Sequence, residues 1–386
     1  WYSVSDEAFY SENEIKEENG LNISITSGSK VEWVEEESYF FKLSKWENKL
    51  LKFYDENPNF ILPKSRRNEV VNFVKNGLKD LSISRKSFSW GIKVPSNNDH
   101  IIYVWLDALT NYISALNYPD IKNTKYKNFW PADVHMIGKD ILRFHAIYWP
   151  AFLLAANLTP PKRVYGHGWI LSGEEKMSKS KGNILDPIEI IDDYGIDEMR
   201  YYLMKEVSHG SDGSISLKSL ENCINSDLAN NYGNLCQRVL SFIKSNCKGK
   251  VVKGKNFSDA DKKLKKISKE LTKNLRSDMN DQNLNSYIKS VINISFITNK
   301  YINDEEPWKL KNDNLEKMNN ILHVALEQIA KISVLLNPII PSSSLKIIEA
   351  LNIKKKDINL SFLDGNKIIN DEIEIKNVGI LFKKIS

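Results

Sequence analysis

His135-Met-Ile-Gly-Lys-Asp-Ile-Leu-Arg-Phe-His145 is the stretch of sequence that decides the fold. It opens with a short apolar run, passes through a glycine turn and continues into the start of a helix. A second apolar run, Tyr165-Gly-His-Gly-Trp-Ile-Leu171, contains glycines at which a strand can bring its backbone close to a flat ligand. A turn that follows an apolar strand is where a doubly wound α/β fold binds its ligands.

Directly after the second run, between Gly173 and Gly182, lies the polar segment Lys176-Met-Ser-Lys-Ser180. Two lysines on a short loop can stabilise the negative charge that grows on a phosphate leaving group. In a chain rich in lysine and serine, the alternative is a basic loop that is only solvated. The order and spacing of the flanking runs favour nucleotide chemistry.

Length, charge and cysteine content limit the class of protein. A chain of 386 residues is too long for one core, so we expect two or three domains. A net charge of +5 suits a polyanionic partner without identifying one. The three cysteines have neither paired spacing nor even parity, which argues against a disulfide framework and a zinc knuckle. No apolar run approaches the roughly 18 residues of a membrane span, so we expect a soluble protein from a reducing compartment.

Hydrophobic periodicity divides the chain into four segments. Residues 1–38 form a small polar module with short strands. Residues 39–170 alternate helical and strand patterns, including the β-rich run Ile101–Trp105, which predicts an α/β domain with a mostly parallel sheet. Residues 171–221 hold the lysine loop and a connector. Residues 222–386 predict a bundle of about four long helices. These helices are expected over 226–246, 259–280, 283–302 and 313–337.

Together these motifs resemble the C-terminal half of a class I aminoacyl-tRNA synthetase, and their side chains resemble the methionyl-tRNA synthetase family. The resemblance implies a Rossmann-like catalytic domain, a stem-contact region at 171–221 and an all-α anticodon-binding bundle. It also implies the reaction: ATP and L-methionine give methionyl adenylate, which then esterifies tRNA(Met). The alternatives are a non-catalytic tRNA-binding protein and another class I synthetase, such as a leucine, valine or cysteine enzyme.

The resemblance implies an ATP site with Mg²⁺. By position, the site would consist of Gly138, Asp140, His167, Gly168, Lys176, Met177, Ser178, Lys179 and Ser180. Lys176 and Lys179 would be the catalytic cations, and Asp140 would bind the ribose hydroxyls. An acceptor-only carboxylate suits that role. The structural alternative for Asp140 is a helix N-cap, and both can hold at once.

The resemblance also implies a methionine pocket. Its residues would be Trp105, Ala108, Tyr112, Ile141, Phe144 and His145. Aromatic rings make favourable contacts with a thioether sulfur. Without the resemblance, residues 103–108 would be a buried strand that runs into a helix, and His145 a hydrogen-bonded core residue. Many family members have proline at the position of Leu109, so that part of the wall differs here.

An arginine near the expected active centre and a set of three expected anticodon residues complete the expected sites. Arg85 resembles an arginine that faces the active centre and pairs with an acid outside this chain, and without that acid it would be a surface charge. Asn234 and Arg238 are four residues apart on one helical face, and with Trp308 they resemble the anticodon reader. Unstacked RNA bases are read by stacking on aromatic rings and by bonds to their polar edges. The alternative for Trp308 is a core residue.

The start of the chain gives three further expectations. It begins at Trp1, and no His-x-Gly-His signature precedes residue 135, so we expect a C-terminal portion that is inactive alone. Some relatives carry zinc-binding cysteines near the positions of Ser3 and Asp6, and this chain has none there, so we expect no structural zinc. We also expect a monomer in the cytoplasm, or in an organellar matrix, without a membrane partner.

Overall fold

The computed structural model describes residues 1–86, 89–173, 175–177, 185–207 and 210–385, with only the backbone of 175 and 176. The chain forms two compact units, Trp1–Gly168 and Trp169–Ser386. The finer division into four segments stays a prediction. Within the described residues, no helix combines the length and apolar character that crossing a membrane requires.

The first unit combines short strands with five α-helices in its described part. Its strands are β1 (Tyr2–Ser3), β2 (Ala8–Phe9), β3 (Ile15–Glu18), β4 (Leu21–Ser24), β5 (Phe40–Phe41), β6 (Ile61–Leu62), β7 (Leu81–Ser82), β8 (Ser84–Arg85), β9 (Lys93–Val94), β10 (Asn97–Ile102), β11 (His135–Gly138) and β12 (Val164–His167). Its helices are α1 (Glu47–Glu56), α2 (Lys64–Lys75), α3 (Val104–Ser114), α4 (Thr124–Phe129) and α5 (Trp149–Ala155).

A parallel sheet of three strands organises this unit, in the order β11-β12-β6. The register pairs His135 with Val164 and Gly138 with His167, so β11 and β12 end side by side. Helices α1 and α2 bury apolar residues at helical spacing in the same core as the sheet. The predicted α/β class with a parallel sheet is therefore confirmed, and so are strands in the N-terminal module, where β1 pairs with β2 and β3 with β4.

The expected strand over Ile101–Trp105 ends earlier than predicted. Strand β10 stops at Ile102, and Trp105 lies in the first turn of α3. The carbonyl of Tyr103 accepts a hydrogen bond from the amide of Leu106 at 2.9 Å, which closes that turn. The β-branched and aromatic residues of this run have high strand propensity, but helical packing outweighs it.

The second unit contains a small mixed sheet and a helical bundle. Its strands are β13 (Ile170–Ser172), β14 (Glu175–Lys176), β15 (Gly213–Ile215), β16 (Lys250–Val252) and β17 (Glu372–Glu374). Its helices are α6 (Pro187–Tyr194), α7 (Ile196–Glu206), α8 (Leu217–Cys223), α9 (Asn234–Asn246), α10 (Asp259–Thr272), α11 (Leu275–Asn280), α12 (Leu284–Glu305), α13 (Leu315–Leu336) and α14 (Pro341–Ala350).

The bundle confirms the predicted helical domain and differs from it in detail. Helix α13 is buried along most of its length, and it packs on α12, α14 and α9. The predicted helix over 259–280 is interrupted at Asn274, whose ψ of 3° departs from helical geometry. A π-helical segment, Ile224–Gly233, joins α8 directly to α9. Strand β17 pairs with β16 antiparallel, a contact that the sequence did not indicate.

Candidate functional site

The carboxyl edge of the parallel sheet brings the first set of predicted residues together. Gly138 and His167 are the last residues of β11 and β12 and are register partners. Asp140 follows in a 3-10 turn, Lys139–Ile141, and its side chain is exposed. The Nδ1 atom of His167 donates to the carbonyl of Gly168 at 2.8 Å, because a carbonyl only accepts. Ligands of open parallel sheets bind at this edge.

Gly138 has a local steric role at this edge. A Cβ atom on residue 138 would collide with the carboxylate of Asp140. Glycine therefore lets that carboxylate lie against the strand end. The N-cap of the 3-10 turn is Gly138, without a side-chain cap, so Asp140 does not act as the N-cap there.

The predicted pocket residues meet through a chain of hydrogen bonds between α3 and the segment after β11. The Nδ1 atom of His145 lies 3.0 Å from the carbonyl of Ile141, and Nε2 lies 2.9 Å from the hydroxyl of Tyr112. Because a carbonyl only accepts, Nδ1 carries the proton and donates. Burial lowers the pKa of His145 and outweighs the opposing effect of the Ile141 bond, so the ring is neutral at pH 7. The hydroxyl of Tyr112 therefore donates to Nε2.

Aromatic stacking forms another wall of the same pocket. The rings of Trp105 and Phe144 stack with centroids 3.8 Å apart and planes 9° apart. Trp105 also meets His145 edge-on at 6.3 Å. Ala108 is exposed, one helical turn before Tyr112 on α3. The structure thus brings together the aromatic members of the predicted pocket, and the small side chain of Ala108 leaves space on the same helix face.

His135 also belongs to this cluster, although it was not among the predicted pocket residues. Its ring stacks on Tyr112 with centroids 4.1 Å apart and lies 6.2 Å from His145. It is 5 % exposed, and neither ring nitrogen has a hydrogen-bond partner in the described part of the chain. Burial, with a smaller contribution from His145, lowers its pKa to about 4. A weak signal existed, because a histidine at the start of an apolar strand is buried.

Arg85 is buried, so its interpretation as an unpaired surface charge is wrong. It is 3 % exposed, and its Nε atom lies 3.6 Å from Oε1 of Glu36. The guanidinium also lies 4.3 Å from the ring centroid of Phe9 and 4.5 Å from that of Tyr103. The acid that pairs with it here lies within the chain, 49 residues earlier in the sequence, a contact that only the fold creates. Its role at an active centre stays a prediction.

The described part of the lysine motif forms a hairpin rather than a loop. Gly173, at φ +66°, turns the chain after β13, and β14 pairs Lys176 with Leu171. Met177 is half-buried and packs on the core of the second unit. Ser178, Lys179 and Ser180 lie outside the described residues, and of Lys176 only the backbone is described.

The three predicted anticodon residues lie around one open surface of the second unit. Asn234 is exposed at the start of α9, and Trp308 lies in a 3-10 turn with 42 % of its surface exposed. The interpretation of Trp308 as a core residue is therefore wrong. The guanidinium of Arg238 lies 5.9 Å from the Trp308 ring centroid and donates to Oδ1 of Asn303 at 2.7 Å. Sequence reasoning missed Asn303.

A hydrogen-bonded cluster surrounds Asp6 in the N-terminal module. The carboxylate of Asp6 accepts from the hydroxyls of Tyr10 and Ser29, each at 2.7 Å, and from Ser27. Burial would raise the pKa of Asp6, but these hydrogen bonds outweigh it and the pKa lies below its usual value. Among the described residues, no three histidine, cysteine or acidic side chains come together as a metal-ligating group.

Two family models match the chain. The model for class I tRNA synthetases (M) matches residues 1–240, and the model for the anticodon-binding domain of methionyl tRNA ligase matches residues 251–386. The chain belongs to the methionyl-tRNA synthetase family. The alternative of a leucine, valine or cysteine enzyme is therefore wrong.

Members of this family are similar over most of the chain. A methionine–tRNA ligase of Rickettsia felis is 50 % identical over 361 residues, which cover 92 % of this chain and 69 % of that protein. The corresponding ligase of Rickettsia conorii is 49 % identical, and the match covers all of this chain and 75 % of that protein. The methionyl-tRNA synthetase of Mycobacterium tuberculosis, solved with methionyl-adenylate, has a TM-score of 0.94 at 40 % identity. That match covers 99 % of this chain and 76 % of that one.

Proposed function

We propose that the chain carries the amino-acid and tRNA recognition of a methionine–tRNA ligase, which activates L-methionine with ATP and transfers it to tRNA(Met). The observation that carries the proposal is the hydrogen-bonded pair of Tyr112 and His145 beside the Trp105–Phe144 stack. A cluster of aromatic rings suits an unbranched thioether, which makes favourable contacts with ring edges. The family membership and the solved methionyl-adenylate complex of a relative support the same function.

For activation, we propose that the adenosine of ATP binds at the carboxyl edge of the parallel sheet. Asp140 would accept from the ribose hydroxyls, and Gly138, His167 and Gly168 would form the backbone that faces the nucleotide. Lys176 and Lys179, with Met177, Ser178 and Ser180 around them, would stabilise the leaving pyrophosphate. Mg²⁺ bound to the phosphates of ATP would neutralise part of their charge.

For tRNA selection, we propose that Trp308 stacks on an anticodon base while Asn234 and Arg238 bond to polar base edges. The exposure of Trp308 and the adjacent guanidinium support this role. Stacked bases typically contribute about 1–3 kcal/mol each, as alanine substitution of aromatic side chains shows.

Arg85, paired with Glu36, would keep a buried positive charge near the aromatic residues of the first unit.

The test is methionine-dependent exchange of pyrophosphate into ATP by the full gene product. Lys179→Ala should lower the exchange rate at least about tenfold, because about 1.4 kcal/mol lost only in the transition state costs one decade. Binding of methionine should be nearly unchanged. Lys181→Ala is the matched control, since this lysine lies just outside the motif, and it should exchange at the normal rate.

The outcomes separate the alternatives. Exchange that is absent in the unaltered product, with tRNA binding intact, would favour the non-catalytic tRNA-binding protein. Equal exchange in Lys179→Ala and Lys181→Ala would reject the catalytic role of the motif.

We also propose that the protein is a monomer without structural zinc, located in the cytoplasm or an organellar matrix. The hydrogen bonds of Asp6 support the absence of structural zinc, because serine and aspartate make a poor tetrahedral zinc site. Elemental analysis should find less than one zinc per chain after dialysis. One tightly held zinc would contradict the proposal, and sedimentation would test the monomer.

A further inference from the structure

His135 is a buried titratable side chain that the proposed reaction does not use. It begins β11, where its amide donates to the carbonyl of Arg163 at 2.8 Å, so its backbone is fixed by the sheet. Besides Tyr112 and His145, its ring contacts the aromatic ring of Trp130. These contacts place its centroid 6.0 Å from that of Trp130 and 4.1 Å from that of Tyr112.

The ring of Tyr112 lies nearer to His135, at 4.1 Å between centroids, than to His145 at 5.6 Å or Trp149 at 6.4 Å. Tyr112 is 37 % exposed, so one part of its ring faces open space while another lies on His135. The planes of the two rings are 30° apart, a near-parallel arrangement that aromatic pairs favour. The hydroxyl then reaches Nε2 of His145, which is itself oriented by the carbonyl of Ile141.

A neutral imidazole is suited to this task, and a charged one is not. Both ring nitrogens of His135 lack partners in the described residues, so protonation would place an unsolvated charge beside His145. Burial lowers the pKa of His135 to about 4, so the ring stays neutral at physiological pH. Its contribution is therefore a flat surface rather than a proton or a hydrogen bond.

We propose that His135 is a positioning residue for methionine recognition, whose ring holds Tyr112 in the orientation in which its hydroxyl donates to His145. The inference rests on the proposed function, because it assigns the Tyr112–His145 pair to methionine. It predicts that the shape of residue 135 matters and that its nitrogens do not.

The experiment compares His135→Ala and His135→Phe in the full gene product, with the dissociation constants for L-methionine and for ATP measured by calorimetry. His135→Ala should weaken methionine binding about tenfold, which equals about 1.4 kcal/mol, and leave ATP binding unchanged. His135→Phe should bind methionine within about twofold of the unaltered protein, because phenylalanine restores the stacked ring.

Leu50→Ala is the control for stability alone. Leu50 is fully buried in α1, in the same core and outside the pocket. Leu50→Ala should lower the melting temperature, as His135→Ala does, and leave the dissociation constant for L-methionine unchanged.

Three results would overturn the inference alone: normal methionine binding by His135→Ala, equal weakening by His135→Phe, or the same weakening by Leu50→Ala. If the unaltered product does not bind methionine, the proposed function fails and this inference fails with it. The two failures are thus distinguishable.

Discussion

Two tryptophans, one in each unit of the molecule, have contrasting environments. In the first unit, Trp105 lies flat on Phe144 with ring centroids 3.8 Å apart, and its neighbours fix each other through hydrogen bonds. In the second unit, Trp308 has 42 % of its surface exposed, and the guanidinium of Arg238 lies 5.9 Å from its ring centroid. A small ligand is selected by a preformed enclosure, whereas a nucleotide base requires an open ring.

The same contrast holds for the polar groups. A chain of two hydrogen bonds links Tyr112, His145 and Ile141, and each donor in it has one acceptor. Arg238 donates to Asn303 and keeps other guanidinium donors for a partner. We therefore expect substitutions in the Trp105–Phe144 stack to change stability and methionine binding together, and substitutions at Trp308 to change tRNA recognition alone.

The largest expected effect is on the free energy of unfolding. It appears when one tryptophan of each unit is replaced by alanine and the two variants are compared. Trp105→Ala should lower the free energy of unfolding by about 3 kcal/mol, because a packed ring is lost. Trp308→Ala should change it by less than about 1 kcal/mol, as is usual for surface positions. Urea unfolding followed by circular dichroism checks both. Similar losses in the two variants would remove the distinction between enclosed and open rings.

The next effect is the contribution of His135 to the pH dependence of the free energy of unfolding. The pKa of His135 is about 4 when folded and near 6.5 when unfolded, so the unfolded chain binds a proton that the folded chain excludes. The free energy of unfolding should therefore fall as pH is lowered through this window, by about 2 kcal/mol between pH 7 and pH 5. Urea unfolding of His135→Phe should lack this part of the loss. An equal loss in both proteins would contradict the assigned pKa.

Recognition of tRNA should change by a comparable amount. Trp308→Ala should lose about 1–3 kcal/mol of discrimination between tRNA with a CAU anticodon and tRNA with an altered one. The measurement is kcat/KM for charging of each tRNA by each protein. Unchanged discrimination would mean that Trp308 does not contact the anticodon.

The smallest effect concerns Asn303. Asn303→Ala should weaken charging of tRNA with the CAU anticodon by about 1 kcal/mol or less, because an exposed hydrogen bond to Arg238 is lost. Asn312→Ala makes the same change at another exposed position and should leave charging unchanged. If the two variants charge equally well, Asn303 does not orient Arg238.

Sequence patterns predicted the parts of the fold that depend on local periodicity. The strand and turn at residues 135–140 and the long helices of the second unit follow from apolar spacing and were confirmed. The boundary at Tyr103 was wrong, since strand propensity there gives way to the packing of α3. The π-helical segment before α9 has no sequence signal of the kind that periodicity detects.

The candidate site was predictable only where the resemblance named its residues. Tyr112 and His145 were expected in one pocket, and the structure joins them by a hydrogen bond. His135 and Glu36 were not expected, because their contacts with Tyr112 and Arg85 link positions far apart in the sequence. Such contacts arise from tertiary packing, and a single sequence carries no periodic signal for them.

The most direct test of the central claim measures two activities of Tyr112→Phe and Trp308→Ala in the full gene product. The activities are methionine-dependent pyrophosphate exchange and charging of tRNA with a CAU anticodon. Tyr112→Phe should raise the KM for methionine about tenfold in both, because the Nε2 atom of buried His145 loses its donor. Trp308→Ala should keep the normal exchange rate and lower the kcat/KM for charging. Exchange that falls as far as charging in Trp308→Ala, or an unchanged KM for methionine in Tyr112→Phe, would contradict the account.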